Sequence, residues 1–434
     1  MDPLLSRSYD AIVVGTGPGG AATARELARG GLRVLVLEQG SAAPLKGTLG
    51  QMATMALPGR GAWLHRDASL LVSGTTLGGS SALNFATAAP PPLALFAAHG
   101  IDLAPSLATL RAELPLAPLP DRLVGPMAAR LMAAARGAGF DWKKLDKMIR
   151  PQICRSGCWR CVYGCPYGAK WSARDFVDEA CGHGAVLLDR SRVLRVLMEG
   201  GRAQGVDVLR EGVRHQVKAP LVVLAAGGIQ SPRLLHASGL APRHARFFSD
   251  PVVAVMGSVD DIEDGGAEVP MAAGASFHDE GISLADLTLP RPMYQAFALQ
   301  AGRLDRLGAH AHSLSIMVKI RDDVGGRIGP RWVDKRLTHG DRARFEQGVA
   351  MARTILAQAG AHHVFATHHF AAHPGGSVPI GAPHGVDSAL RAAPGLHVCD
   401  ASVIPGAWGL PPTLTLLCLG RRLGGMLSSG AVSR

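Results

Sequence analysis

Asparagine is almost absent from this chain: Asn84 is the only one among 434 residues. Lysine is scarce too, supplying eight of the 45 basic side chains, and aromatic residues make up 5%. That bias toward arginine, alanine and glycine is what GC-rich coding produces. Some residue choices therefore reflect codons, and a rare residue that persists carries more information than a common one. Long apolar runs are also missing. The longest, around Ala219 to Ile229, falls well short of the roughly 20 residues that cross a bilayer, so no intrinsic membrane segment is expected. The opening MDPLLSRSYD has no basic segment followed by an apolar one, so no secretory leader is expected. The expected location is cytoplasmic, or membrane-associated through a partner. No basic run is interleaved with aromatics, which argues against nucleic acid despite a formal charge of +11; an acidic protein partner suits that charge better. Seven cysteines, four of them crowded into ICRSGCWRCVYGCPYGAK, do not form a secreted disulfide framework.

What is present is an ordered globular body. The sequence is 47% hydrophobic and 18% charged, with 54 glycines and 29 prolines, a composition that folds and turns often. Its length allows two lobes. Near the start, YDAIVVGTGPGGAATARELARGGLRVLVLEQG reads as strand, glycine turn, helix and second strand. In Gly15-x-Gly17-x-x-Gly20, Gly15 permits the tight turn, Gly17 lets a pyrophosphate approach the backbone and Gly20 lets helix and strand pack closely. Glu38 follows at the spacing of about 20 residues that places an acid on ribose hydroxyls. This unit predicts dinucleotide binding and leaves FAD and NAD both open. A second glycine pair, in GTTLGGSSALN (Gly74 to Asn84), suits a backbone lying against a flavin or its phosphates, and the singular Asn84 points to a specific hydrogen bond there.

Two further segments complete the pattern. LVVLAAGGIQSPRLLHASGL (Leu221 to Leu240) reads as buried strand, glycine turn and helix. HPGGSVPIG from His373 and GLHVCDASVIPGAWGLPPTLTLLCLGRRLGGML supply another strand with Asp400 and a last helix beginning near Pro412. Together with the first 90 residues and the region from about 150, these segments resemble the glucose-methanol-choline (GMC) oxidoreductases, flavoproteins that oxidise alcohols. CWRCVYGCPYGAKWSARDFVDEACGHGAVLLDRSRV and AQAGAHHVFATHH look most like the long-chain alcohol oxidase branch and related iron-sulfur-containing sugar dehydrogenases.

The resemblance implies an α/β chain with a discontinuous Rossmann-type FAD-binding domain, of p-hydroxybenzoate hydroxylase-like architecture, and a second, trimmed substrate domain. The flavin lobe is expected from 1–90, 185–250 and 371–434, and the substrate lobe from 91–184 and 251–370. It further implies that Gly15, Gly17, Gly20, Glu38, Gly78, Gly79, Asn84, Val193, Asp400 and Pro412 contact FAD. The family's invariant histidine falls on His373. Its second catalytic position, usually histidine or asparagine, falls on Pro411, which has no side-chain acceptor; either His368, His369 or His384 stands in, or the chemistry relies on His373 alone. Imidazole titrates near neutrality, so His373 is suited to take an alcohol proton while the flavin takes the hydride.

The cysteine spacing is Cys154-x3-Cys158-x2-Cys161-x3-Cys165-Pro166. Disulfides across so short a loop are strained, and structural zinc sites usually separate two close pairs by a longer loop. The final C-x2-C-x3-C-P matches the end of a bacterial ferredoxin run. The four thiols are therefore expected to hold an iron-sulfur cluster, 3Fe-4S or 4Fe-4S, with zinc as the alternative. Resemblance to the sugar dehydrogenases implies an electron outlet to an external acceptor or an electron-transfer partner rather than an oxygen-using oxidase. The expected activity is FAD-dependent dehydrogenation of a small-molecule alcohol, with the trimmed lobe leaving room for a bulky or apolar one. Two other readings stay open: a reductase of a C=C or C=O bond fed through the cluster, and a non-catalytic FAD-containing redox subunit.

Overall fold

The computed structural model describes residues 4–430. AIVV (Ala11–Val14), VLVL (Val34–Leu37) and LVVL (Leu221–Leu224) are buried along their whole length, as central strands of a sheet covered on both faces must be. They pair in parallel, Ala11 lying beside both Leu221 and Val34. Val186–Leu188 extends the sheet on one side and Leu396–Val398 on the other, and an antiparallel edge strand, Arg391–Ala393, completes six strands. This Rossmann-type sheet is thus assembled from three separated stretches of chain. Pro18 opens the helix Pro18–Arg29, where its missing N–H costs nothing. That helix packs on the last one, Thr413–Ser428, so closely that a Cβ on Gly420 would fall 2.4 Å from the carbonyl oxygen of Gly19.

A second, nine-stranded sheet stands beside the first. Its centre is Pro251–Ser258 paired antiparallel with Ser313–Ile320, both buried throughout. The helix His339–Gln358, started by a Thr338/Asp341 capping box, covers one face. A Cβ on its Gly348 would meet Val318 Cγ1 at 2.5 Å. The short strand Phe370–Ala371 is the hinge of the architecture. It pairs with Pro251–Val252 on one side and with Leu70–Leu71 on the other, and two residues later the chain reaches His373 between the two sheets. Mutual backbone bonds of 3.0 Å between Phe248 and Gly375 hold that exit. No described helix is long and apolar enough to cross a membrane.

Candidate active site

At the carboxyl ends of the parallel strands lies a cavity of about 510 Å³ lined by Gly15, Gly17, Glu38, Gly79, Asn84, Val193, Asp400, Pro412 and His373. Residues spread over the whole sequence thus meet at one place, where open α/β sheets bind ligands. Gly17 is the N-cap of its helix and offers no side-chain acceptor. The first-turn amides are therefore left for an external anion such as a pyrophosphate, and a Cβ added to Gly17 meets no protein atom within 4 Å. Its open side is the cavity itself. Gly15, at φ +101, lies so near Ala225 that a Cβ would fall 2.3 Å from its carbonyl oxygen. Gly20 and Gly78 do not line the cavity. Gly20 packs against Gly15 and Ala225, and the Gly78 amide donates to Thr16 Oγ1 at 3.0 Å.

Glu38 is held by its neighbours rather than free. Its Oε2 accepts from Thr16 Oγ1 at 2.6 Å and from the Thr16 amide at 3.1 Å, and Oε1 accepts from Gly40 N at 2.7 Å. Burial raises its pKa, an effect these bonds oppose. Asp400 is arranged in the same way: Oδ2 accepts from Gly227 N at 2.9 Å and from the Ser231 hydroxyl, and Oδ1 from Ser402 N at 2.8 Å. It ties the start of the helix Gly227–Ala237 to the turn Ala401–Val403. Asn84 Nδ2 donates to Thr413 Oγ1 at 3.3 Å, beside Pro412, the N-cap of that helix.

A lysine not singled out by the sequence reasoning supports this end of the cavity. Lys170 is buried and donates to the carbonyls of Ser81, Ala82 and Asn84 at 2.8–3.0 Å and to that of Cys161 at 3.1 Å. Lys147, also buried, donates to the carbonyls of Pro270 and Met271. Burial pushes both ammonium groups down to about 8. Asn84 therefore joins the cavity to the cysteine loop through one cation. All four cysteines of that loop are free thiols, Cys161 buried and Cys154, Cys158 and Cys165 partly exposed. Burial first, and the neighbouring Cys161, Cys158 and Cys165 next, push Cys154 up to about 11.

Among the described residues, the group of three potential ligands whose donor atoms lie within 4.8 Å of one another is Asp67, His368 and His369, not a set of cysteines. A single zinc ion needs its sulfurs about 3.8 Å apart, given bonds of about 2.3 Å in a tetrahedron. An iron-sulfur cluster takes thiolates on different irons and needs no such closeness.

A second cavity, about 1730 Å³ and mostly apolar, adjoins the first and shares Asn84, His373, Pro412 and Thr413 with it. Phe85, Met271, Met293, Phe297 and Phe370 supply apolar wall, and Lys319, Arg321 and Pro411 also face it. His368, His369 and His384 line neither cavity. Next to His373 stand instead two residues that sequence reasoning missed. Asp250 Oδ2 lies 3.6 Å from His373 Nδ1 and 3.8 Å from Lys319 Nζ. All three atoms are buried without a hydrogen-bond partner, at separations too long for direct hydrogen bonds and within ion-pair range. Asp250 is fully buried and sits at φ +49, a left-handed conformation that aspartate tolerates better than most residues. Its amide donates to Asp322 at 2.9 Å and its Oδ1 accepts from Gly409 N at 2.8 Å. Burial lowers the Lys319 pKa and Asp250 opposes that shift. A signal for the lysines existed: four of the eight, Lys147, Lys170, Lys319 and Lys335, are buried, and the rarity that marked Asn84 marks them too. Nothing local marks Asp250.

Comparison with known proteins fits this geometry. Two family models described as GMC oxidoreductase match residues 9–258 and 327–420. An uncharacterised GMC-type oxidoreductase of Mycobacterium tuberculosis is 29% identical across 96% of this chain and 75% of its own length. A long-chain-alcohol oxidase of Arabidopsis thaliana is 23% identical across 95% of this chain and 66% of its own. Among solved structures, a pyridoxine 4-oxidase from Mesorbium loti superimposes with a TM-score of 0.73 at 20% identity, covering 96% of this chain and 98% of that one. A formate oxidase of Aspergillus oryzae gives 0.76 at 16%, covering 97% and 98%. At these identities the structural likeness is one of fold.

Proposed function

Since the chain belongs to the GMC oxidoreductases, which are FAD-dependent enzymes, we propose that it dehydrogenates the CH–OH group of a bulky, largely apolar alcohol in the larger cavity. The observation that carries this reading is the cluster of His373, Asp250 and Lys319 at the apolar cavity, with Asp250 Oδ2 3.6 Å from His373 Nδ1 and 3.8 Å from Lys319 Nζ. Bound FAD supplies the acceptor of the hydride, and Gly15, Gly17, Gly79, Glu38, Asn84, Val193, Asp400 and Pro412 are assigned to holding it, with Gly20 and Gly78 keeping the turns in shape.

The alcohol proton goes to His373, leaving a carbonyl product. His373 turns Nδ1 toward Asp250, so Nε2 is the nitrogen offered to substrate. The imidazolium that results is stabilised by the Asp250 carboxylate, in the manner of a carboxylate behind a catalytic imidazole. Lys319, itself buried, balances that buried carboxylate. Asp250 and Lys319 thus support His373 where Pro411 offers no side-chain partner. In the test, His373→Gln retains flavin and slows its reduction by a panel of medium- and long-chain alcohols at least about a hundredfold. Asp250→Asn slows it and shifts its pH profile. Unchanged stopped-flow reduction in both variants would remove the trio from the mechanism, and Pro411→Asn asks whether the usual partner adds rate.

We assign Cys154, Cys158, Cys161 and Cys165 to an iron-sulfur cluster serving an external acceptor or a partner subunit. Their spacing and the two cationic lysines behind them favour it, since thiolate-bound iron carries net negative charge. Such a cluster supplies one-electron transfer. Anaerobic purification should yield iron and sulfide together with an electron paramagnetic resonance signal in one redox state; zinc without sulfide overturns the assignment.

A further inference from the structure

The turn between the strands Ala62–Leu64 and Leu70–Val72 carries Asp67, and the link between His362–Ala366 and Phe370–Ala371 carries His368 and His369. Parallel pairing of Phe370 with Leu70 brings turn and link side by side at the rim of the second sheet. There one donor atom each from Asp67, His368 and His369 lies within 4.8 Å of the others.

Two details make this more than a chance ion pair. Asp67 Oδ1 is occupied by Ser69, accepting from its amide at 3.0 Å and its hydroxyl at 2.6 Å. That fixes the carboxylate and aims Oδ2 at His369 Nε2, 3.3 Å away. His368 meanwhile places Nε2 2.9 Å from the Asp67 carbonyl oxygen. Donating there selects the tautomer with a free Nδ1 lone pair, and a ring N–H anchored on a carbonyl is the usual outer support of a metal-binding histidine. The site is partly shielded: the His369 side chain is 14% exposed and Asp67 27%, with the Phe345 ring 6.2 Å from that of His369. Behind it the 6%-exposed His65 meets Ser69 Oγ at 3.2 Å and leaves its Nε2 buried without a partner.

We propose that Asp67, His368 and His369 bind a divalent transition metal ion of the zinc class, with water completing the coordination. Two imidazoles and one carboxylate are a ligand set for zinc and its neighbours and a poor one for magnesium or calcium, which prefer all-oxygen shells. Tetrahedral bonds of about 2.0–2.1 Å bring such donors to about 3.3 Å apart, a small rotation of these side chains. The ion clamps the hairpin that carries Trp63, a wall residue of the dinucleotide cavity, to the strand running into His373. It is a staple of the substrate side, and nothing in its argument depends on the reaction assigned above.

The experiment titrates purified, chelator-treated flavoprotein with cobalt(II) and zinc. Cobalt bound here gives visible d–d bands without the intense near-ultraviolet charge-transfer band that thiolate ligation produces, which separates this site from the cysteine loop. Expected are one equivalent bound without thiolate bands, a zinc-dependent rise in melting temperature, and loss of both in Asp67→Asn and His369→Gln, each folded by the criterion of full flavin content. Ser69→Ala should weaken binding about 10–100-fold. Binding unchanged in Asp67→Asn and His369→Gln, only thiolate-type cobalt spectra, or no binding at millimolar zinc would overturn the site.

Discussion

Single glycines in this protein separate two jobs that the motif alone runs together. Gly15 is held at φ +101, where a Cβ would fall 2.3 Å from the Ala225 carbonyl oxygen, whereas a Cβ on Gly17 would meet no protein atom within 4 Å. Gly15→Ala is therefore expected to destabilise the fold, by about 1–3 kcal/mol from backbone strain before any clash is counted. Gly17→Ala should keep the apoprotein's melting temperature and lose FAD affinity, because the added methyl occupies the approach of the pyrophosphate. Thermal unfolding and flavin content, measured on both variants, check this; a Gly17→Ala protein that melts early and keeps its flavin contradicts it.

At the scale of elements, a helix and a loop lead to two expectations. The helix Pro126–Gly137 begins at Gly125 with no side-chain cap of its own, and Glu268 supplies it from elsewhere, accepting from Met127 N at 2.5 Å and Ala128 N at 3.1 Å. Gly125 must stay small, since a Cβ would fall 2.0 Å from Glu268 Cδ. Burial, against the pull of those amides, pushes Glu268 up to about 7 from 4.5. The folded state thus holds a proton that the unfolded chain has released between those values, so stability contributed at low pH is lost as pH rises from about 4.5 through 7. Denaturant unfolding of wild type should show that decline, and Glu268→Gln should flatten it.

The cysteine loop meets the cavity through Lys170, whose removal strands the carbonyls of Ser81, Ala82, Asn84 and Cys161 at about 1–3 kcal/mol for each group left buried and unsatisfied. Lys170→Met should release FAD on dilution where wild type retains it. Lys218→Met, on an exposed position of the strand Val213–Lys218, should not. Flavin fluorescence measures both.

Across the whole molecule, a formal charge of +11 sets a field that favours encounter with anions and fades as salt shortens the Debye length to about 10 Å at 0.1 M. Reoxidation of the reduced enzyme by the anionic acceptor ferricyanide is expected to slow about tenfold between low and high ionic strength, while reoxidation by a neutral quinone stays nearly constant. Equal salt dependence for the two acceptors would show that the net charge steers nothing. The same breadth of view explains what was legible in advance. The glycine turn, Glu38, Asn84 and Asp400 stand at fixed offsets within short contiguous segments, and their family pattern matches over most of the chain. The stretch 259–326 lies outside both matches, yet it builds part of the centre of the second sheet and part of the wall of the apolar cavity.

The sequence alone determined the features whose physics is local: a strand that must be apolar on both faces, a turn that only glycine can make, an acid at the end of the next strand, and four cysteines too close together for ordinary pairing. The tertiary structure alone decided which distant side chains meet. Asp250 reaches His373 and Lys319 because Pro251–Ser258 pairs with both Ser313–Ile320 and Phe370–Ala371, and Asp67 reaches His369 because Leu70 pairs with Phe370. A one-residue slip in any of these registers would turn Lys319 to the opposite face of its strand or displace the turns and links that carry Asp250, His373, Asp67 and His369. Register is fixed by the burial of whole sheets rather than by any residue's neighbours in the chain, so those constellations could not be read from spacing.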